Sequence, residues 1–436
     1  MQVTRKIPGI AIVTLVLGIL ALPDQVQGMA AFARKYKTSC ATCHVGFPKL
    51  TPFGEAYRMN GFQWPDYGDA ENTKEEPVSL GSESYKRVWP RAIWPNEIPG
   101  TAPISFRVRQ GFQFVSDDES SFAEFTLPAL QIMSGGTLGE DISFFAGAHL
   151  FEHGEPGSID RMYLKFDNMF DGRLPYNALY LRIGQFVPEL VPFITNHRGL
   201  TLTSYAFNTY APANGGSFGA GHEHGSPAFG LESFQIGMEA SGIVKSRLRY
   251  VLGLVNGSGV EEDNNSAKDI YYRLAYKLGG LAYDGSSSGD VYGQGGNNWA
   301  EKSLAMATFG YFGTSVSGGK DVSVRRLGVD FNLTLRDLNV FGGLISGADE
   351  AYHGEELHEE GYSLFFAEGD YMVYPWLIGV LRYEQANLED DMGSIKRLVP
   401  SITALYTANI KFICELPIDL DNTNDISFLV GLDFVF

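Results

Sequence analysis

Three residues of this chain stand at a spacing with one direct chemical use. Cys40 and Cys43 bracket two residues, and His44 follows at once, giving Cys-Ala-Thr-Cys-His. Thiols so spaced add to the two vinyl groups of a haem and fix the macrocycle covalently. The adjacent imidazole then reaches the iron as proximal ligand. A redox Cys-x-x-Cys or half of a zinc site would use the same thiols. Neither accounts for His44, and the only other cysteine, Cys414, leaves no second pair to complete zinc. One haem c held by Cys40, Cys43 and His44 is the expected cofactor.

The ligand opposite His44 is open. Met29 and Met59 lie near the motif and offer thioethers, which raise the potential relative to a second histidine. Met59 equally suits packing on a short helix. His149 offers an imidazole on the inward face of a strand, and an open or water-bound iron is the remaining option. Four other histidines fall in acidic stretches: His222 and His224 flank Glu223, and His353 and His358 lie among Glu355, Glu356, Glu359 and Glu360. Imidazole with carboxylate suits divalent first-row metals. The second stretch lacks the His-Glu-x-x-His order of a zinc protease, and both also read as solvated acidic loops.

Such chemistry needs a compartment. Residues 1–28 read as a secretory signal peptide, with Arg5 and Lys6 before an apolar run and small residues before Met29. The run Ile10 to Leu22 is short for a membrane helix. Cleavage removes two positive charges and one negative, moving the formal net charge from −18 to −19. No nucleic-acid partner is expected of so acidic a chain. A hydrophobic fraction of 44% and a mean hydropathy of −0.08 suit a soluble protein and an outer-membrane barrel alike. Barrel strands hide their lipid face by alternation.

The elements that must position the motif fall into two parts. Residues 29–100 read as a small α-helical haem domain and its linker. Within them Thr51-Pro52 looks like an N-cap followed by proline at the first helical position, and Gly61 suits the helix stop. Residues 64–100 are rich in Pro, Gly and charge, with Trp-Pro pairs at 64, 89 and 94.

From about residue 103 the period becomes two. Phe106, Val108, Phe112 and Phe114 alternate with Arg107, Arg109, Gly111 and Gln113, and Val329, Phe331 and Leu333 with Asp330, Asn332 and Thr334. Similar segments recur to the end, among them one long run around 396–417. Fifteen segments alternate in this way, or sixteen if Leu200–Phe207 contributes; single-chain barrels favour even numbers, so about sixteen is expected. Tight turns at one end should face longer loops at the other, including 189–229, 281–300 and 349–360. The last strand puts Phe428, Val430, Leu432, Phe434 and Phe436 on one face and ends on an aromatic residue, like the assembly signal of bacterial outer-membrane barrels. A soluble sandwich or propeller also alternates, but no blade-length repeat is visible. Residues 101–436 are therefore expected to form an all-β, porin-like barrel in the outer membrane of a Gram-negative-type bacterium, its outer face against lipid. Inward charges are mixed, Arg107, Arg109, Lys165, Arg182 and Arg382 against Asp167, Asp330 and Glu384. That mixture suits holding the haem domain as a plug, since few residues separate the signal from the first strand.

The motif has familiar flanks. Phe32-Ala33-Arg34-Lys35-Tyr36, Cys40-x-x-Cys43-His44, Pro48-x-Leu50-Thr51-Pro52-Phe53-Gly54 and Asn60-Gly61-Phe62 resemble the fused monohaem cytochrome–porins, outer-membrane Fe(II) oxidases of iron-oxidising bacteria. The detailed likeness covers residues 31–65; the remainder is similar in architecture only. The resemblance implies that Fe(II) gives its electron to the haem at the cell surface and that a soluble periplasmic carrier, typically a c-type cytochrome, receives it. The implied activity is that of an iron:cytochrome c oxidoreductase. The same conduit with another external donor or acceptor is an alternative. A diffusion porin gated by haem is another, because Arg182-Ile-Gly-Gln-Phe-Val-Pro188 is similar to strands of anion-selective porins. The acidic sequence pI of about 4.9 favours a neutral habitat, where carboxylates are ionised and attract Fe(II).

Overall fold

The computed structural model describes residues 31–66, 68–80, 87–88, 97–116, 121–152, 154–167, 173–193, 199–209, 231, 233–260, 263, 265–286, 299–317, 320–353, 355–388, 394–423 and 426–436. The signal peptide, Met29, His222 and His224 lie outside these residues.

Strict alternation of apolar and polar side chains makes each strand two-faced, and closure of the sheet gives both faces a use. Sixteen antiparallel strands close into one barrel. The first eight are β1 (Ile104–Ser116), β2 (Ser121–Phe125 continued by Ala129–Thr137), β3 (Ile142–Phe151), β4 (Ile159–Phe166), β5 (Tyr180–Phe186), β6 (Gln235–Val244), β7 (Leu248–Val255) and β8 (Asp269–Gly279). The second eight are β9 (Glu301–Ser317), β10 (Lys320–Arg336), β11 (Leu338–His353), β12 (Glu356–Tyr374), β13 (Leu377–Leu388), β14 (Ser394–Thr407), β15 (Ile410–Glu415 continued by Ile418–Asp419) and β16 (Ile426–Val435). β16 pairs with β1, Phe434 opposite Val108 and Val430 opposite Phe112, so no edge is left. Outside, Met162, Leu252, Ile270, Val329, Leu344 and Ile402 are exposed. Inside, the paired positions are charged and buried: Arg107 meets Asp433 at 2.7 Å, and Arg273 meets Asp330 at 2.5 Å. The expected inward charges therefore do face inward.

Five details differ from the sequence reading. The 121–133 run is broken at residues 126–128, where Pro128 has no N–H to give the ladder. The sixteenth strand comes from the long 396–417 run, which splits at residues 408–409 into β14 and β15. There Asn409 Nδ2 donates to Val435 O at 2.7 Å and accepts at Oδ1 from Thr407 Oγ1 at 2.8 Å. Leu200–Phe207 is not a strand, because the inner wall captures its backbone. Leu202 N donates to Glu415 at 2.7 Å, Ala206 N donates to Glu384 at 2.7 Å, and Lys411 Nζ donates to Gly199 O at 3.0 Å. Most of the 349–360 stretch is a paired hairpin rather than a loop, with Asp349 opposite Glu360 and Ala351 opposite His358. Finally, the long 280–300 connection joins β8 to β9 at the end that also carries the tight β6–β7 and β10–β11 turns, so long loops occur at both ends.

The N-terminal part is less helical than expected. Helices α1 (Ala31–Tyr36) and α2 (Pro52–Met59) are short, and the motif between them is a single 3-10 turn at Cys40–Thr42. Thr51 caps α2, accepting from Gly54 N at 3.0 Å. This segment lies against the inner wall of the barrel. Lys49 pairs with buried Asp370, Lys165 Nζ donates to Met59 O at 2.8 Å, and Gln63 Nε2 donates to Glu140 O at 2.6 Å.

Candidate functional site

The haem motif is held by the residues that follow it. Thr51 N donates to Cys43 O at 2.9 Å, and Thr51 Oγ1 donates to Thr42 O at 3.0 Å. Gly54, in the first turn of α2, runs so close to the Cys43 carbonyl that a Cβ there would collide with it. The Thr51-Pro52-Phe53-Gly54 run is thus a clamp on the backbone of the motif. Behind it, Tyr36, Phe53, Tyr57 and Phe62 form a buried cluster with Leu281, and Phe32 stacks on Phe62 at 4.9 Å.

The His44 ring is fixed by a backbone carbonyl. Its Nδ1 lies 3.3 Å from Pro48 O. Burial pushes the imidazole down to about 4, against the opposing pull of that carbonyl, so the ring is neutral at neutral pH. A carbonyl only accepts, so Nδ1 carries the hydrogen and Nε2 keeps the lone pair. Cys40 and Cys43 form no disulfide and are half-buried.

All three line one cavity between the motif and the barrel wall. The motif and its flanks form one side; the other is the barrel's inner wall. Six cationic side chains line the cavity, Arg58, Arg107, Arg161, Lys165, Arg182 and Arg249, against two carboxylates, Glu189 and Glu239. In a chain with net charge −18 this is a local inversion of sign. Arg249 grips Glu189 through two bonds of 2.9 and 2.7 Å, and Arg182 donates to Glu239 at 2.7 Å. Burial alone would raise the Glu189 carboxyl, yet Arg249 and Arg58 hold it well below the usual carboxylate range. Among the described residues, buried Arg58 Nε and Arg249 Nη1 have no hydrogen-bond partner. The donor set fits a haem c: two thiols, a neutral imidazole with its free nitrogen available, aromatic walls, and guanidinium N–H groups that suit two carboxylate side arms.

The other candidates lie elsewhere. Met59 is buried at the end of α2 and is not part of the cavity wall. His149 also lies off that wall, its Nδ1 held 2.5 Å from Glu152. His358 is exposed on β12, 3.7 Å from Glu356, and no group of three metal-binding side chains occurs among the described residues. The backbone pairing places His353 opposite Glu356 and Ala351 opposite His358, on two neighbouring strands. Arg58, Arg161, Arg249, Glu189, Glu239 and Met133 line the cavity without having been singled out from sequence. Strand parity carries the signal for three of them: Arg161 shares a face with Lys165, Arg249 alternates with lipid-facing Leu252, and Met133 shares a face with Gln131.

No family model and no curated protein matches the chain. Solved structures do. An anion-selective porin from Comamonas acidovorans aligns with a TM-score of 0.55 at 11% identity, over 77% of this chain and 99% of that one. Pseudomonas putida OprB aligns with a TM-score of 0.50 at 9% identity, over 76% of this chain and 94% of that one. At such identities the likeness is one of fold. A closed barrel of this fold with an apolar outer belt is a porin-like barrel of the Gram-negative outer membrane.

Proposed function

We propose that this protein is an outer-membrane electron conduit that oxidises extracellular Fe(II) at a single haem c and passes the electron to a periplasmic c-type cytochrome or similar carrier. The observation that carries the reading is the shared cavity: Cys40, Cys43 and His44 on one wall, and inward-facing cations of the barrel on the other. In this reading residues 31–66 are a haem-bearing plug. The chain termini and most tight turns mark the periplasmic end, because such barrels place short turns there.

When bound, haem c supplies a one-electron acceptor. His44 Nε2 would hold the iron, with Pro48 O fixing the ring; Cys40 and Cys43 would hold the macrocycle. Arg58, Arg182 and Arg249 would hold its carboxylates, and Phe32, Phe53 and Phe62 would keep water from its edge. For each turnover one Fe(II) becomes Fe(III) and the carrier gains one electron. The family resemblance at residues 31–65 supplies the identity of the donor.

Diffusion through the barrel is the competing reading, and the porin likeness favours it. Against it stand Leu190, Phe193, Leu200, Tyr205 and Phe207 of the β5–β6 connection, which are buried inside the barrel. The test is a visible spectrum of the purified protein under anaerobic Fe(II) at neutral pH. Reduced haem bands are expected. A haem that stays oxidised in excess Fe(II), yet is reduced by dithionite, overturns the assignment.

A further inference from the structure

We propose that the Met133 thioether is the ligand opposite His44, so that the barrel wall itself completes the iron site. This rests on the haem reading above. Met133 lies on β2, where Gln131, Met133 and Gly135 face the lumen, and it stands opposite Ser105 on β1 and Gly147 on β3. Its side chain is half-buried and is the only methionine among the described residues lining the cavity. The segment carrying the motif is moored beside it. Ala31 N donates to Ser105 Oγ at 2.9 Å, and the Phe32 ring packs over Gly135, where a Cβ would come within 2.8 Å of it. Met133 therefore sits on the strand that anchors α1, four residues before Cys40.

The other donors on the wall are engaged. Lys165 Nζ donates to Met59 O at 2.8 Å and pairs with Asp167 at 3.4 Å. Glu239 accepts from Arg182 at 2.7 Å and from Tyr271 at 2.6 Å, and Glu189 is gripped by Arg249. Tyr36 donates to Asp69 at 2.5 Å. Burial holds the Tyr57 phenol protonated, with a pKa well above its ordinary value, which leaves it a poor ligand. Arginine cannot bind iron through a protonated guanidinium. A thioether is neutral and soft, places no charge among the six cations, and raises the potential relative to a second imidazole. A higher potential favours uptake of an electron from Fe(II).

The test uses the full-length, haem-loaded protein in detergent, with covalent haem confirmed by mass and barrel closure by heat-modifiable gel migration. Oxidised wild type should show the absorption band of thioether-to-Fe(III) charge transfer. Met133→Leu, which keeps nearly the same volume, should lose that band with haem still attached and a lower reduction potential. Met133→His should restore six-coordination as a bis-imidazole electron paramagnetic resonance signal. Haem attached without the band in wild type overturns this assignment alone. So does a band that survives Met133→Leu, or one abolished by Met29→Ala or Met59→Ala. Absence of covalent haem from wild type overturns the haem reading and this assignment with it.

Discussion

Two stretches of irregular chain occupy the barrel, and the wall holds them differently. The described part of the β5–β6 connection, residues 187–193 and 199–209, is gripped by its backbone. Glu415, Glu384 and Lys411 bond its amides and a carbonyl, and Arg382 donates to Thr201 Oγ1 at 3.0 Å and to Thr203 O at 2.7 Å. The N-terminal stretch, residues 31–66, is gripped mainly through side chains and an aromatic cluster, and it leaves an open cavity between itself and the wall. Backbone capture fixes a partition whatever its side chains are, whereas side-chain docking keeps room for a cofactor. The first arrangement closes a lumen; the second furnishes a site.

Substitutions can pull these two roles apart. The largest expected effect is chemical. Cys40→Ala with Cys43→Ala should abolish covalent haem by haem stain and mass, while the barrel still closes and migrates normally on unheated gels. Next comes the partition. Arg382 is fully buried between Glu384 at 3.2 Å and Glu368 at 3.7 Å; Arg382→Ala leaves buried Glu368 without its paired cation, while Glu384 keeps Arg397 at 2.6 Å. A cost of about 3–5 kcal/mol in urea unfolding is expected, with raised ion conductance in planar bilayers and an unchanged haem spectrum. Asn60→Ala attacks the other stretch, since Asn60 Nδ2 donates to Ala56 O at 2.6 Å and to Tyr283 O at 3.0 Å. About 1–3 kcal/mol is expected, read as a lower midpoint for thermal loss of the haem circular-dichroism signal, with conductance unchanged. The smallest effect is the cap: Thr51→Ala should cost about 1 kcal/mol by the same melt. Conductance rising in Asn60→Ala and not in Arg382→Ala would reverse the division of roles.

Much of this was legible in the sequence, for identifiable reasons. Strand alternation is a local signal, so the barrel, its inward charges and its lipid face could be read residue by residue. The haem motif is likewise local. The strand count was reached for the wrong reason. A two-residue turn inside 396–417 is hidden in an unbroken apolar pattern, while Leu200–Phe207 looks strand-like but has its hydrogen bonds taken by side chains from β13 and β15. The far wall of the cavity was the least legible. Arg161, Arg249 and Met133 come from three strands, and only closure of the barrel and its register bring them around His44.

The central claim is that electrons cross this barrel while ions do not. Proteoliposomes holding the protein and an enclosed oxidised cytochrome c test it directly, with Fe(II) added outside under argon. The account predicts that the enclosed cytochrome is reduced by wild type and not by His44→Ala, with no matching leak of a small dye. Dye leakage without reduction, or equal reduction with His44→Ala, would contradict it.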